Sequence, residues 1–213
     1  VARKSSGIRK PADMVGRKVG LWESFQVLPR AFFRKYGVKV REVRQSHSVN
    51  LFLRGGVDLA SAMIYNEYHT IINAGVDPED MNVFRFDQYG LNFPEDGIYA
   101  LEQTYRRDPG RACAFAQATL EGWEYAFAHP EEALDEILPR MAAAHIPVDR
   151  VHQRWMLAQT RELSTDRGSG AVTGRLKPED YARTSQVLAD AGLIKAAPRF
   201  DSFAVRCGES DGK

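Results

Sequence analysis

Between Lys18 and Gly75 the sequence switches repeatedly from strand-like to helix-like patterns, and this alternation constrains the fold more than any other feature. Apolar or alternating runs at Lys18–Leu21, Val38–Val43 and Asp58–Ile64 predict three strands. A run with helical spacing of apolar residues follows each of them. Strands that alternate with helices pack as a mostly parallel sheet with right-handed crossovers, so this part is predicted to be an α/β domain.

The helices between these strands have recognisable start and stop signals. The first is predicted over Phe25–Tyr36, where aromatic and apolar residues recur three and four positions apart. Pro29 either stands at the first position of this helix or kinks it, because proline lacks a backbone donor. The second helix is predicted over Ser46–Leu53 with a serine cap, and the third ends at Gly75.

After Gly75 the pattern changes from α/β to helical. Alternation predicts a fourth strand at Asn82–Phe86, and an acidic, aromatic loop then leads to a short apolar strand at Ile98–Leu101. Proline and capping residues predict the starts of the later helices. These starts lie near Asp108, Pro130, Asp149 and Lys177.

The net charge and the lengths of the apolar runs argue against two classes of partner, nucleic acids and membranes. Lysine plus arginine number 29 and the acids 28, so the net charge is +1 and no nucleic-acid surface is predicted. No apolar run approaches the ~20 residues of a membrane-spanning helix, so we expect no membrane insertion.

The sequence begins with Val1 and shows no signal peptide, and we expect a processed chain or part of a longer one.

The sequence contains none of the common catalytic or zinc-binding motifs. None of the five histidines has HExxH spacing, and no GxSxG elbow, phosphate loop or GxGxxG motif is present. Glu95 and Asp96 are carboxylates at adjacent positions, which is not the arrangement of an acid–base pair. We therefore expect a protein that is not an enzyme and carries no cofactor.

The two cysteines allow two interpretations. Cys113 and Cys207 are far apart and make no metal motif. Cys113 falls in a predicted helix, where we expect a small core residue. The alternative is a disulfide between Cys113 and Cys207, which would form in an oxidising compartment.

A cluster of polar and aromatic residues follows the strand-like run from Asp58 to Ile64. Tyr65, Asn66 and Glu67 stand where that strand is predicted to give way to a helix. Ligands of α/β proteins bind at such carboxyl ends, and rings, an amide and a carboxylate suit a planar, polar ligand. The alternative is an ordinary helix start, in which Asn66 caps, Glu67 complements the helix dipole and the tyrosine packs.

Four stretches, taken in order, resemble one protein family. They are GIRKPADMVGRKVG at 7–20, GGVDLASAMIYNE at 55–67, NFPEDGIY at 92–99 and GWEYAFAHPEEA at 122–133. This set is similar to the NMT1/THI5-like substrate-binding proteins of ABC transporters, over most of residues 7–195. The resemblance implies a type 2 periplasmic-binding-protein fold, in which two α/β lobes joined by a hinge clamp a ligand.

The resemblance also implies a division of the chain. Residues 12–95 would form the second lobe of the binding protein. Residues 1–11 and 96–207 would supply the hinge return and the helical part of the first lobe, and 208–213 a disordered tail. The family's N-terminal segment and a signal peptide would lie outside this sequence, and the location would be periplasmic or otherwise extracytoplasmic.

The resemblance further implies that the ends of strands form the wall of the ligand cleft. The corresponding positions are Trp22, Glu23, Ser24, Tyr65, Asn66, Glu67, Tyr89 and Glu95. This wall is rich in carboxylates and poor in arginine, and unpaired carboxylates near an anion cost free energy. An aminated heterocycle fits better, because its N–H groups can donate to Glu67 while Trp22, Tyr65 or Tyr89 stacks on its ring.

The function implied by the family is the solute-binding component of an ABC importer, with a small-molecule ligand and the transporter permease as partners. The expected ligand is a thiamine-precursor pyrimidine or a flavin-like molecule. Sulfonate, taurine or nitrate binding is one alternative, and a sensory ligand-binding domain is another. A pyrimidine synthase of the THI5 type is a third, but the cysteine-rich motif of that branch is absent, since Cys113 and Cys207 are the only cysteines.

Overall fold

The computed structural model describes residues 1–166, 168–205 and Cys207. These residues form two compact units. Unit 1 comprises Val1–Phe93 and Ala182–Ala197, and unit 2 comprises Pro94–Tyr181 and the residues from Pro198 onward. Unit 1 contains the sheet, whereas unit 2 is built mainly from helices.

The sheet of unit 1 has five short strands in the order β3-β2-β4-β1-β5. β2 runs parallel to both β3 and β4, and β1 is antiparallel to both β4 and β5. All strands except β1 therefore point the same way, which confirms the predicted α/β class with a mostly parallel sheet. The strands are β1 (Ala2–Arg3), β2 (Lys18–Leu21), β3 (Arg41–Arg44), β4 (Leu59–Ala60) and β5 (Met81–Asn82).

Helices pack on the sheet through two clusters of buried side chains. The first cluster joins Val19 and Leu21 of β2 to Phe32 of α1 (Val27–Lys35). The second joins Ala60 of β4 to α2 (Asn50–Leu53) and α3 (Glu67–Asn73) through Phe52 and Ile71. Burial of these apolar side chains is the main force that holds the helices to the strands.

Several elements of unit 1 are shorter than predicted. β4 ends at Ala60 although the apolar run continues to Ile64, and α2 begins at Asn50 rather than Ser46. β3 begins at Arg41, where pairing with β2 starts, and Val38 and Val40 before it pack in the first core cluster. Pro29 is the third residue of α1, where its missing N–H would have no intrahelical partner, so it causes no kink.

Two strand predictions after Gly75 need correction. β5 is Met81–Asn82 rather than Asn82–Phe86, and a 3₁₀ turn occupies Phe86–Tyr89. The predicted strand at Ile98–Leu101 is wrong, since these residues form no strand and their apolar side chains are exposed. An apolar run becomes a strand only when a neighbouring strand pairs with its backbone.

The first residues of the chain belong to unit 1. Ala2 of β1 pairs with Leu59 on one side and Asn82 on the other, so residues 1–11 contribute to this sheet. The family resemblance instead implies that residues 1–11 belong to the hinge return and the first lobe. Glu95, predicted in the second lobe, falls in unit 2. The assignment of either unit to a particular lobe of a binding protein stays a prediction.

Two of the predicted helix caps in unit 2, Asp108 and Asp149, are confirmed. The Asp108 carboxylate accepts from the Arg111 N–H at 2.9 Å, and Asp149 accepts from the Val151 and His152 N–H groups. The helices are α4 (Glu102–Arg107), α5 (Pro109–Ala128), α6 (Pro130–Ala143), α7 (Arg150–Ser164), α8 (Pro178–Asp190), which continues into unit 1, and α9 (Phe200–Phe203).

A disulfide joins Cys113 of α5 to Cys207, with the two Cα atoms 5.3 Å apart. The expectation that Cys113 is a core thiol is therefore wrong, and the disulfide alternative is correct. The predicted disordered tail at 208–213 lies outside the described residues. No helix in the described ranges has both the length and the apolar character needed to cross a membrane.

Candidate functional site

The carboxyl ends of β2, β3 and β4 lie side by side at one edge of the sheet. Val19 pairs with Leu59 and Gly20 with Ala60, so β2 and β4 end at nearly the same level. In open α/β sheets this edge is where ligands bind. We use the name strand-end site for a set of residues that follow these strand ends in the chain: Trp22, Glu23, Gln45, Ser46, Ser61 and Tyr65–Glu67.

Gln45 lies at the centre of this edge. Its backbone N–H donates to the Leu21 carbonyl and its side-chain Nε2 donates to the Ser61 carbonyl, both at 2.9 Å. Ser61 in turn donates from its backbone N–H and its hydroxyl to the Gly20 carbonyl, both at 3.0 Å. The sequence does not single out Gln45 or Ser61, because Arg44 directly follows the predicted strand Val38–Val43 and Ser61 falls inside the predicted strand Asp58–Ile64.

Trp22 and Glu23 follow β2 at this edge. The indole Nε1 donates to the Ser46 carbonyl at 3.2 Å, and the ring meets Phe25 edge to face. Glu23 forms an ion pair of 2.7 Å with Arg44, in which both side chains are largely exposed. A shallow depression of about 220 Å³ opens here. It is lined by Leu21, Glu23, Gln26, Glu42, Val43 and Arg44.

Ser24 and an ion pair of Arg30 with Glu42 also belong to this part of unit 1. Ser24 is exposed at the turn between β2 and α1. Arg30 of α1 pairs with Glu42 at 2.7 Å, and this contact holds the pKa of Glu42 below its ordinary value. The charged groups around the depression are therefore matched in pairs of opposite sign.

Glu67 closes the turn that leads into α3. Its Oε2 accepts from the Met63 backbone N–H at 3.1 Å, and its Oε1 accepts from the Asn66 amide at 3.2 Å. Asn66 stands at the N-cap position, but its side chain makes no capping bond to the helix, so the expected Asn66 cap is wrong. An ionised carboxylate has about four acceptor positions, so Glu67 retains capacity for a further donor.

The structure places Tyr89 away from the strand-end site. Its ring packs edge to face against Phe32 at 5.0 Å and against Tyr36 at 5.6 Å. Tyr36 follows the last turn of α1, whereas Trp22 precedes its first turn. A nine-residue helix is ~13 Å long, so Tyr89 and Trp22 stand beside opposite ends of α1.

Glu95 lies in unit 2, where it is exposed in the segment before α4. Desolvation of its carboxyl group, reinforced by the charge of Asp96, raises the pKa of Glu95. Of the eight residues predicted for the ligand wall, six therefore follow the strand ends at this edge of unit 1. They are Trp22, Glu23, Ser24, Tyr65, Asn66 and Glu67.

The site has the chemistry of recognition by stacking and hydrogen bonding. It offers an indole ring, a phenol, a carboxylate and backbone groups at strand ends. Within the described ranges no cluster of three or more histidine, cysteine or acidic side chains is arranged to hold a metal ion. His69 is buried on α3 and lies 3.4 Å from the Asn73 amide, so it serves the packing of that helix.

The chain is similar to one known protein family and to a solved structure. Its fold is similar to the crystal structure of the periplasmic aliphatic sulphonate binding protein SsuA from Escherichia coli, with a TM-score of 0.63 and 15% sequence identity. That match covers all of this chain but spans only 66% of the other. No curated protein matches the sequence. The model of the NMT1/THI5-like family matches residues 1–133, which is more than half of the chain. The chain therefore belongs to the NMT1/THI5-like family.

Proposed function

We propose that the chain is the solute-binding component of an ABC importer, and that its ligand is a small aromatic heterocycle with N–H donors. A thiamine-precursor pyrimidine or a flavin-like molecule has this chemistry. One observation carries the ligand proposal: adjacent parallel strands β2 and β4 bring Trp22 and the Tyr65–Glu67 turn to one edge of the sheet. Membership of the family and the fold of a periplasmic binding protein support the importer role.

The charges at the site favour a ligand that donates hydrogen bonds. Glu67 holds its carboxylate with two donors and can accept a third from a ring amine or amide. Arg44, the cation nearest the end of β3, is already paired with Glu23. An anion placed here would meet the Glu67 charge without an unpaired arginine to balance it, which is unfavourable.

A sulphonate is the second candidate ligand. The structural relative is a binding protein for aliphatic sulphonates. The Glu23–Arg44 pair is exposed, and exposed pairs contribute little free energy, so Arg44 could exchange its partner for a sulphonate oxygen. Taurine, through its sulphonate group, and nitrate present oxyanions as well and would use the same cation.

The partner proposed for the loaded protein is the permease of the transporter, and the proposed location is extracytoplasmic. The Cys113–Cys207 disulfide supports this location, because disulfides persist in oxidising compartments such as the periplasm. We propose no catalytic turnover and no cofactor. A THI5-type synthase would instead use bound pyridoxal phosphate, and absorbance of a lysine adduct after loading would reveal that binding.

A thermal-shift panel tests the ligand class on the protein that carries this sequence. The panel contains an aminopyrimidine precursor of thiamine, thiamine, riboflavin, taurine, an alkanesulphonate and nitrate. A ligand at 100 times its Kd stabilises the folded state by ~2.7 kcal/mol, which is readily detected. We expect stabilisation by a heterocycle. Stabilisation by the anions only would replace the first ligand proposal with the second, and turnover would contradict the non-enzymatic role.

A further inference from the structure

One short segment connects the two halves of the strand-end site. The Gln45 backbone N–H donates to Leu21, next to Trp22, while its side chain donates to the Ser61 carbonyl after β4. Ser46, the next residue, accepts from the Trp22 indole. Residues 45 and 46 therefore hold the chain that leaves β2 and the chain that leaves β4 at a fixed separation.

A role in stability alone does not explain why a glutamine occupies position 45. Only 4% of the residue is exposed, and its Oε1 is buried without a hydrogen-bond partner among the described residues. The amide orientation is determined by the Ser61 carbonyl, which requires the NH₂ group to face it. A buried acceptor with no donor destabilises the folded state, so stability alone does not favour glutamine here.

Gly20 makes room for this side chain. A Cβ atom added to Gly20 would lie 2.5 Å from Gln45 Oε1, which is closer than two such atoms can approach. Any other residue at position 20 would push the end of Gln45 away and disturb its bond to Ser61. Gly20 and Gln45 thus form one unit at the end of β2.

We propose that Gln45 is a positioning residue of the ligand site, which sets the spacing of Trp22 and the Tyr65–Glu67 turn, with Gly20 as the residue that permits it. The inference rests on the proposed solute-binding function. It places Gln45 behind the ligand-contacting residues, because its own polar atoms are buried. Tight ligand binding needs a preorganised site, so loosening this link weakens affinity even when the fold is intact.

The test compares ligand affinity and thermal stability in matched variants of the protein that carries this sequence. Gln45→Met keeps the length of the side chain and removes its amide, which exchanges the unpaired Oε1 for an unpaired Ser61 carbonyl. We expect a Kd about tenfold weaker for the ligand that stabilises the wild type. We expect the Tm to change by no more than about 3 °C, because the number of unpaired buried groups stays the same.

Gly20→Ala is the second variant and leaves Gln45 chemically intact. It should weaken binding to a similar extent by displacing Oε1. The double variant should be no weaker than either single one, because both changes break the same link. Val19→Ala is the control: it removes a buried side chain of the same strand from the first core cluster, so it should lower the Tm and leave Kd unchanged.

A readout without ligand follows from the tryptophans, which number three. With Trp123→Phe and Trp155→Phe, fluorescence reports on Trp22 alone, and Gln45→Met should shift its emission to the red while Val19→Ala should not. Unchanged Kd and unchanged Trp22 emission in Gln45→Met would overturn the positioning role. Failure of the wild type to bind any solute, with the emission shift present, would instead refute the proposed function.

Discussion

At the scale of single residues, Glu67 shows how one side chain serves both the fold and the proposed site. Its two oxygens accept from the Met63 N–H and the Asn66 amide, which stabilises the turn before α3. This is the helix-start interpretation of the sequence, with glutamate rather than asparagine as the acceptor. The same contacts hold the carboxylate in the turn that follows β4, where the proposed ligand would donate to it.

Glu67→Gln separates these two roles. The amide keeps an acceptor for the Met63 N–H but loses the charge, and a hydrogen bond to a charged group is worth ~1.5–3 kcal/mol. We expect heterocycle binding to weaken by that amount, with a small loss of stability, in paired calorimetric titrations and urea unfolding curves. An unchanged affinity would mean that Glu67 serves the turn only.

The amino group of Val1 gives a pH dependence in any chain that starts there with a free amine. It donates to the Ala60 carbonyl, and burial lowers its pKa from 8.0 to about 5. Between pH 8 and pH 5 the amino group is protonated in the unfolded chain but not in the folded chain. Stability is therefore full above pH 8 and falls towards pH 5, by ~1.4 kcal/mol per pH unit.

Urea unfolding at several pH values, with and without N-terminal acetylation, isolates this effect from all other titrations. The free amine should lose stability relative to the acetylated chain as the pH falls from 8 to 5. An equal difference in stability between the free-amine and acetylated chains at pH 8 and at pH 5 would show that the amino group is solvated in the folded protein.

At the scale of elements, local signals predict helix starts well and strand lengths poorly. Asp108 and Asp149 begin α5 and α7 as predicted, because a cap acts on residues two and three positions away. Strands depend on partners distant in sequence. Ala2–Arg3 shows no strand-like pattern yet pairs on both sides, while Ile98–Leu101 looks apolar and pairs with nothing in the described chain.

The positions of the candidate site residues likewise depend partly on local pattern and partly on contacts distant in sequence. Trp22 and the Tyr65–Glu67 turn were predictable, because they follow recognisable strand-like runs. Gln45 was not, because the end of β3 is determined by its register with β2, where Arg44 pairs with Leu21. The packing of Tyr89 on α1 was not predictable from local pattern, because its aromatic partners lie more than fifty positions earlier in the sequence.

Tyr89→Ala tests the placement of this ring in the aromatic cluster. The ring contacts Phe32 and Tyr36 and is half-buried, so its removal should cost ~2–3 kcal/mol of unfolding free energy. Ligand affinity should stay at the wild-type value. A weakened Kd with unchanged stability would support the original prediction that Tyr89 lines the ligand wall.

At the scale of the whole molecule, the two units differ in how much apolar surface they bury. Among the described residues, Phe127 and Leu134 are the only apolar side chains of unit 2 with less than 9% exposure, whereas unit 1 has two buried clusters. Unit 2 instead carries the Cys113–Cys207 disulfide, which links positions 94 residues apart. Long closed loops give the largest entropic stabilisation.

Loss of this disulfide should destabilise unit 2. Replacing both cysteines by serine, or reducing the wild type, should lower its unfolding free energy by ~4 kcal/mol. In a Trp22→Phe background, urea unfolding followed by tryptophan emission reports on unit 2 through Trp123 and Trp155. The double serine variant should not respond to reductant. Equal midpoints for the oxidised and reduced wild type would show that the disulfide does not stabilise the unit.

We propose that this protein binds a heterocycle with N–H donors as the solute of an ABC importer. The most direct measurement is calorimetric titration of the protein that carries this sequence with an aminopyrimidine precursor of thiamine and, separately, with an alkanesulphonate. We predict a Kd of about 1 μM or tighter, −8.2 kcal/mol, for the pyrimidine and no measurable heat for the sulphonate. Binding of the sulphonate without the pyrimidine would contradict the claim.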